Sequence, residues 1–254
     1  MTRARVYRAS AVVIRQRNLG EADRIVTLFT EERGKLSAVA KGARRPRSKL
    51  AAALQLFSHS RVQLAAGRSL EIITQAQPVD LFYHLREDMQ RYAHASYIAE
   101  LTDALTEEGD GDPAIFGLLL ETLRGLDRSA DPATVARAFE LKLLSRLGYG
   151  PEVMTCVSCG TELEAGPAGF SPAQGGVVCA RCLREAGAAP LAPEALAAMR
   201  ELMGRPMEEI AARRLSRKAK EELERVMRAF VDYRLERPLR SAAFLSFPAA
   251  PRSG

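Results

Sequence analysis

Val6-Tyr-Arg-Ala-Ser-Ala-Val-Val-Ile14, Ile25-Val-Thr-Leu-Phe29 and Leu36-Ser-Ala-Val-Ala40 decide how this 254-residue chain begins to fold. The first two are rich in the β-branched and aromatic residues that fit a pleated, half-buried surface. The third alternates apolar and small residues, as a strand with one buried face does. Residues 57–64 and 70–74 read as two more strands. Turn signals at Asn18-Leu19-Gly20, Arg33-Gly34 and Ala66-Gly67 separate them. Five short strands in about 75 residues, with no strong helical period before residue 79, predict a small closed barrel. The five-stranded OB-fold is the leading form and an SH3-like barrel the alternative. In an OB-fold the face of strands 2 and 3 and the neighbouring loops receive single strands.

Beyond this stretch the period becomes helical. Residues 80–89 and 90–105 form one or two helices, with Tyr92, Ile98, Leu101 and Leu105 suited to a buried stripe. Asp112-Pro113 and Asp131-Pro132 each read as an N-cap followed by proline at the first helical position. The helices they open run to about Leu126 and Leu147, with Gly148 as a stop. Further helices are expected at 193–203 and 216–237, the latter carrying Leu223, Val226, Met227, Phe230 and Val231 on one stripe. The expected architecture is α+β and multidomain. It comprises a nucleic-acid-binding barrel over 1–78, a helical domain over 79–148 and 191–254, and a cysteine module over 149–190.

Charge is distributed unevenly. The net is +6 overall, made of +9 in residues 1–80, −8 in 81–199 and +5 in 200–254. Residues 33–70 contain no acidic side chain but nine basic ones: Arg33, Lys35, Lys41, Arg44, Arg45, Arg47, Lys49, Arg61 and Arg68. A soluble surface normally mixes both signs, and one sign alone repels itself unless a polyanion neutralises it. Nucleic acid is the commonest such partner. Gly42 and Pro46 make Lys41-Gly-Ala-Arg-Arg-Pro-Arg-Ser-Lys49 a loop, whose cations can follow an irregular phosphate backbone. Arg24 and Lys35 are placed nearby on strands. A second basic region spans 213–220.

Cys156-Val-Ser-Cys159 and Cys179-Ala-Arg-Cys182 are two C-x2-C pairs separated by 19 residues, the pattern of a tetrahedral zinc site. Two intervening residues let a tight turn aim both sulfurs at one ion, and a hairpin in the connector brings the second pair opposite. Gly160 suits the first turn and Gly175-Gly176 the hairpin. Four thiolates leave no open position, so the site is structural rather than catalytic. An iron–sulfur cluster uses the same ligand type.

Other chemistry finds little support in the sequence. His59, His84 and His94 lack metal or triad spacing. The acidic run at 107–112 reads as a solvated loop leading into a helix. No phosphate-binding loop or dinucleotide fingerprint is present. There is no tryptophan, so base stacking would fall to residues such as Tyr7, Phe29 or Phe57. No apolar run approaches the ~20 residues that span a bilayer, and the basic N-terminus precedes too short an apolar stretch for a signal peptide. A cytoplasmic, nucleoid-associated protein without enzymatic activity is therefore expected. An RNA-binding accessory protein of translation or transcription, also built from a basic barrel and a zinc ribbon, is the alternative.

Leu19-Gly-Glu-Ala-Asp-Arg-Ile-Val-Thr-Leu-Phe-Thr30 and Gly34-Lys-Leu-Ser-Ala-Val-Ala-Lys-Gly-Ala-Arg-Arg-Pro-Arg-Ser-Lys49 resemble the bacterial RecO family of recombination mediators. Phe170-Ser-Pro-Ala-Gln-Gly-Gly-Val-Val-Cys179 is similar to that family's zinc-module segment. The resemblance covers nearly the whole chain in order. It implies an N-terminal OB-fold that binds single- and double-stranded DNA, a central helical domain and no enzymatic step. It also implies annealing of complementary strands, and cooperation with RecR in loading RecA onto strands coated by single-stranded-DNA-binding protein (SSB). The matching cations are Lys35, Lys41, Arg44, Arg45, Arg47 and Lys49, and the matching ligands for Zn2+ are Cys156, Cys159, Cys179 and Cys182.

Overall fold

The structure, a computed structural model, describes residues 6–67, 69–164 and 166–245. Five strands, β1 (Val6–Leu19), β2 (Asp23–Thr30), β3 (Gly34–Ala40), β4 (His59–Ala65) and β5 (Glu71–Asp80), close into a barrel in the order β1-β2-β3-β5-β4. β4 pairs back onto β1, and every pairing is antiparallel except β3 with β5. This is the OB-fold order. Alternation along the strands aims Ala11, Val13, Val26, Leu28, Ala38, Ala40, Val62, Leu64 and Ile73 into one core.

β1 runs past Ile14 to Leu19, further than its apolar run indicates. A register shift between Val13 and Arg15 bends it so that one strand serves two neighbours. Its last turn of polar residues stays paired to β2 after leaving the core. Residues 41–58 join β3 to β4 through successive turns. Ala43 and Leu54 from this segment enter the barrel core. Phe57, at φ 71°, donates its N–H to Val13 O at 2.8 Å. The Ser58 and Ser60 hydroxyls both donate to Ala53 O.

Among the described residues seven α-helices follow: α1 (His84–Glu87), α2 (Met89–Leu105), α3 (Pro113–Arg128), α4 (Pro132–Arg146), α5 (Pro193–Gly204), α6 (Met207–Ala211) and α7 (Arg217–Leu235), with a short 3-10 helix at Ser241–Phe244. Between α4 and α5 lies a three-stranded sheet of β6 (Ala168–Ser171), β7 (Gly176–Cys179) and β8 (Ala189–Leu191), ordered β7-β6-β8. The caps are local and specific. Asp112 accepts from Ala114 N, Asp131 from Thr134 N and Ser216 from Ala219 N. Gly148 takes φ +81° just past α4.

The chain packs as two compact units, one reaching Asp127 and the other beginning at Arg128. In the first, α1, α2 and most of α3 accompany the barrel. The second holds α4, the cysteine-bearing sheet and α5–α7. These packing units divide at the end of α3, and α2 packs on β1 of the barrel. His59 of β4 meets Phe116 of α3 edge-on at 6.0 Å.

Candidate nucleic-acid rim and metal centre

The loop from Lys41 to Lys49 is fixed at its base by the β1–β2 turn. Gly42, at φ +67°, donates its N–H to the Asp23 carboxylate at 2.7 Å. Arg44 N donates to Ala22 O at 2.9 Å and its guanidinium to Gly20 O at 2.8 Å. Two neighbouring loops are therefore tied into one rim at the same end of the barrel. From it Lys41, Arg44, Arg45, Arg47 and Lys49 all stand exposed. Among the described residues none of these five has a carboxylate within ion-pair distance. Arg24 lies half-buried at the start of β2, opposite Ala40, with its Nε buried and unpartnered. It borders the rim from below.

Other expected cations are placed differently. Lys35 is withdrawn: its side chain is 13% exposed, and Nζ lies 3.3 Å from the Asp103 carboxylate and 2.5 Å from Asp103 O. Asp103, at the C-terminal end of α2, also binds Arg15 at 3.0 Å. Arg33 covers the Tyr7 ring at 4.0 Å. Arg61 is exposed on β4, and Arg68 lies outside the described residues. The second basic region is largely neutralised. Arg213 pairs with Glu201 at 2.6 Å, Arg217 with Glu221 at 2.7 Å and Lys220 with Asp131 at 3.0 Å.

On β2, within the face where an OB-fold can receive a strand, Ile25, Thr27 and Phe29 are 9%, 3% and 1% exposed, whereas Ser37 and Val39 of β3 are half-buried. Of the stacking candidates, Phe29 and Phe57 are core residues and Tyr7 is half-covered by Arg33. Asp103 and the residues after it carry no motif, so the sequence offered no signal that they would reach β3.

The four cysteines converge. The β6–β7 hairpin, turned by Gly175 at φ +79°, brings Cys179 to the knuckle that carries Cys156 and Cys159. In that knuckle Gly160, at φ +72°, donates its N–H to Cys156 O at 2.8 Å. The Cys182 N–H donates to Cys179 O at 3.1 Å in the second turn. All four sulfurs lie within 4.8 Å of one another, and those of Cys159 and Cys179 are 3.8 Å apart. A Zn–S length of ~2.3 Å makes the edge of a regular S4 tetrahedron ~3.8 Å. Four sulfurs this close could hold one metal ion. The Thr161 hydroxyl and amide hold the Cys159 thiol down to about 6. Hydrogen bonds to Cys159 and Cys179 push Cys182 up to about 12. So crowded a set of thiols ionises fully only around a cation, and these residues fit a metal.

Comparison with known proteins agrees across the chain. A family model described as "Recombination protein O N terminal" matches residues 1–82, and one described as "Recombination protein O C terminal" matches residues 86–243. A protein from Symbiobacterium thermophilum named "DNA repair protein RecO" is 45% identical over 244 residues, covering 94% of this chain and 96% of its own. Proteins of that name from Roseiflexus sp. and Pelotomaculum thermopropionicum are 42% and 39% identical. They cover 96% and 97% of this chain, and 86% and 96% of their own.

Proposed function

We propose a function from one settled premise: this chain belongs to the RecO family of DNA repair proteins. It binds the phosphate backbone of single- and double-stranded DNA without reading sequence, through the rim of Lys41, Arg44, Arg45, Arg47 and Lys49, with Arg24 beneath. The supporting observation is that five exposed cations, none ion-paired among the described residues, sit on a loop fixed by the neighbouring turn. Phosphates arriving there displace counterions and no protein carboxylate. Neutralising two strands at once lowers their mutual repulsion, which is the physical requirement for annealing. Lys35 is not assigned to this surface.

The protein acts as a binding mediator in the cytoplasm, at the nucleoid, and performs no covalent chemistry. Its partners, following the family resemblance, are RecR, SSB and, indirectly, RecA. Among the described residues no helix is long and apolar enough to cross a membrane. The metal is zinc, one per chain. Cys156, Cys159, Cys179 and Cys182 would hold it, and it would supply a structural cross-link with no reactive position.

If about five phosphates are neutralised, log affinity for single strands falls with log salt at a slope of roughly −3.5. Reversing charge in the variant R44E/R45E/R47E is expected to abolish strand annealing and flatten that slope while leaving the circular-dichroism spectrum unchanged. Unaltered annealing by the folded variant would place the interface elsewhere.

A further inference from the structure

The residues between α2 and α3 read as a solvated acidic loop, yet they lie along β3. The Gly109 N–H donates to Lys35 O at 3.0 Å, and Glu108 bridges to both Gly34 and Lys35. The Ser37 hydroxyl donates to the Glu108 carboxylate at 3.4 Å. The approach is backbone to backbone. A Cβ on Gly34 would stand 1.9 Å from Asp110 O, and one on Gly111 would stand 2.2 Å from Glu32 O. Just before this segment, Asp103 joins Arg15 and Lys35. Glu107, Glu108 and Asp110 are exposed, and among the described residues none of them has a cation within ion-pair distance.

The arrangement resembles a bound phosphate strand in its chemistry. Carboxylate oxygens meet the donors Arg15, Lys35 and Ser37, and three uncompensated negative charges face outward. We propose that residues 107–111 are an autoinhibitory acidic strap. It occupies the outer edge of β3 in place of a nucleic-acid backbone, so that the strap and DNA compete for that edge. While the strap is seated, its field repels phosphates from β3 and confines DNA to the 41–49 rim. When it lifts, Ser37 and the outer edge of β3 become available and the footprint lengthens, while Lys35 stays paired with Asp103 of α2. This inference rests on the rim reading above, since it concerns where on the same barrel the same ligand is allowed.

Two variants of the full chain separate contact from charge, read by fluorescence anisotropy of a labelled oligo(dT) at several salt concentrations. Gly111→Ala unseats the strap without changing any charge. It is expected to tighten binding, because a strap lifted off β3 no longer holds its carboxylates where phosphates approach. The variant E107Q/E108Q removes two of the strap's charges and leaves its backbone ties. It is expected to tighten binding about fivefold at low salt and by little at 0.5 M, where screening is nearly complete. The variant E87Q/E121Q makes the same net change at exposed positions on α1 and α3 and should have a smaller effect.

A folded Gly111→Ala protein with unchanged affinity would overturn the proposal. So would E107Q/E108Q binding no tighter than E87Q/E121Q, a comparison that decides the matter even if Gly111→Ala does not fold. Wild-type protein whose oligo(dT) binding ignores salt would instead overturn the rim reading itself.

Discussion

His59 shows how a residue unremarkable in the sequence acquires a role from its surroundings. Its Nε2 hydrogen-bonds Ser10 Oγ at 2.8 Å, while Nδ1 is buried without a partner. Burial, and next the charge of Arg124, hold its pKa below the ordinary value. The unfolded chain therefore takes up the proton first, near the reference value of about 6.5. This stability contribution is complete above that pH and is lost as pH falls from about 6.5 toward the folded value. Thermal melts should thus show a falling midpoint over that window, and His59→Asn should flatten the fall; an identical slope in the variant would remove His59 from the account. Lys35 gives the complementary lesson. Its charge and strand position are evident in the sequence, but its partner is Asp103, 68 residues away. No local pattern announces a contact of that separation, so a strand cation looks like a ligand for phosphate until the fold supplies a carboxylate.

At the scale of elements, what was legible is what is local. The five-residue stripe of α7, Leu223, Val226, Met227, Phe230 and Val231, is buried in full. Phe230 meets Phe170 of β6 edge-on at 5.3 Å. The caps at Asp112 and Asp131 are where the sequence puts them, and Ser216 caps the helix expected to begin there, because a side chain two or three residues from an orphan N–H needs no distant help. Ser216→Ala is expected to cost about 1 kcal/mol in urea denaturation; a change within error would mean that solvent caps α7 equally well. Elements whose cause is distant were not legible. β8 has three residues and exists because β6 offers an edge. α6 has five residues, and its buried Met207 and Ile210 are too few to form a period. The packing of α2 on β1 was missed for the same reason. Alternation within β2 shows which side is apolar, and Thr27 between Val26 and Leu28 looks like a solvent position, yet it is buried and accepts from Arg15 Nε of β1 at 3.3 Å.

At the scale of the whole molecule, the two compact units carry separate tasks: the rim belongs to the first and the four cysteines to the second. The cysteine pattern was fully legible, since spacing alone fixes the knuckle and the hairpin. Removing the metal with a chelator under reducing conditions is expected to speed amide exchange in residues 150–190, whose local folding is coupled to the ion. Exchange in β1–β5 and affinity for oligo(dT) should stay as they were. Loss of DNA binding in step with loss of metal would show that the two tasks are not separate.

The barrel is joined unevenly around its circumference. β1 and β2 share eight matched residue pairs, whereas β3 and β5 meet through two, Ala38 with Glu71 and Val39 with Ile72. A hoop yields at its shortest join, where the fewest bonds are surrendered. That join lies between Ser37, which holds the acidic segment, and Lys41, where the cationic loop begins. Tension from a captured polymer on one side and release of the acidic segment on the other would therefore load the same weak stave. A barrel wall can in this way transmit one event to the other without any helix having to move.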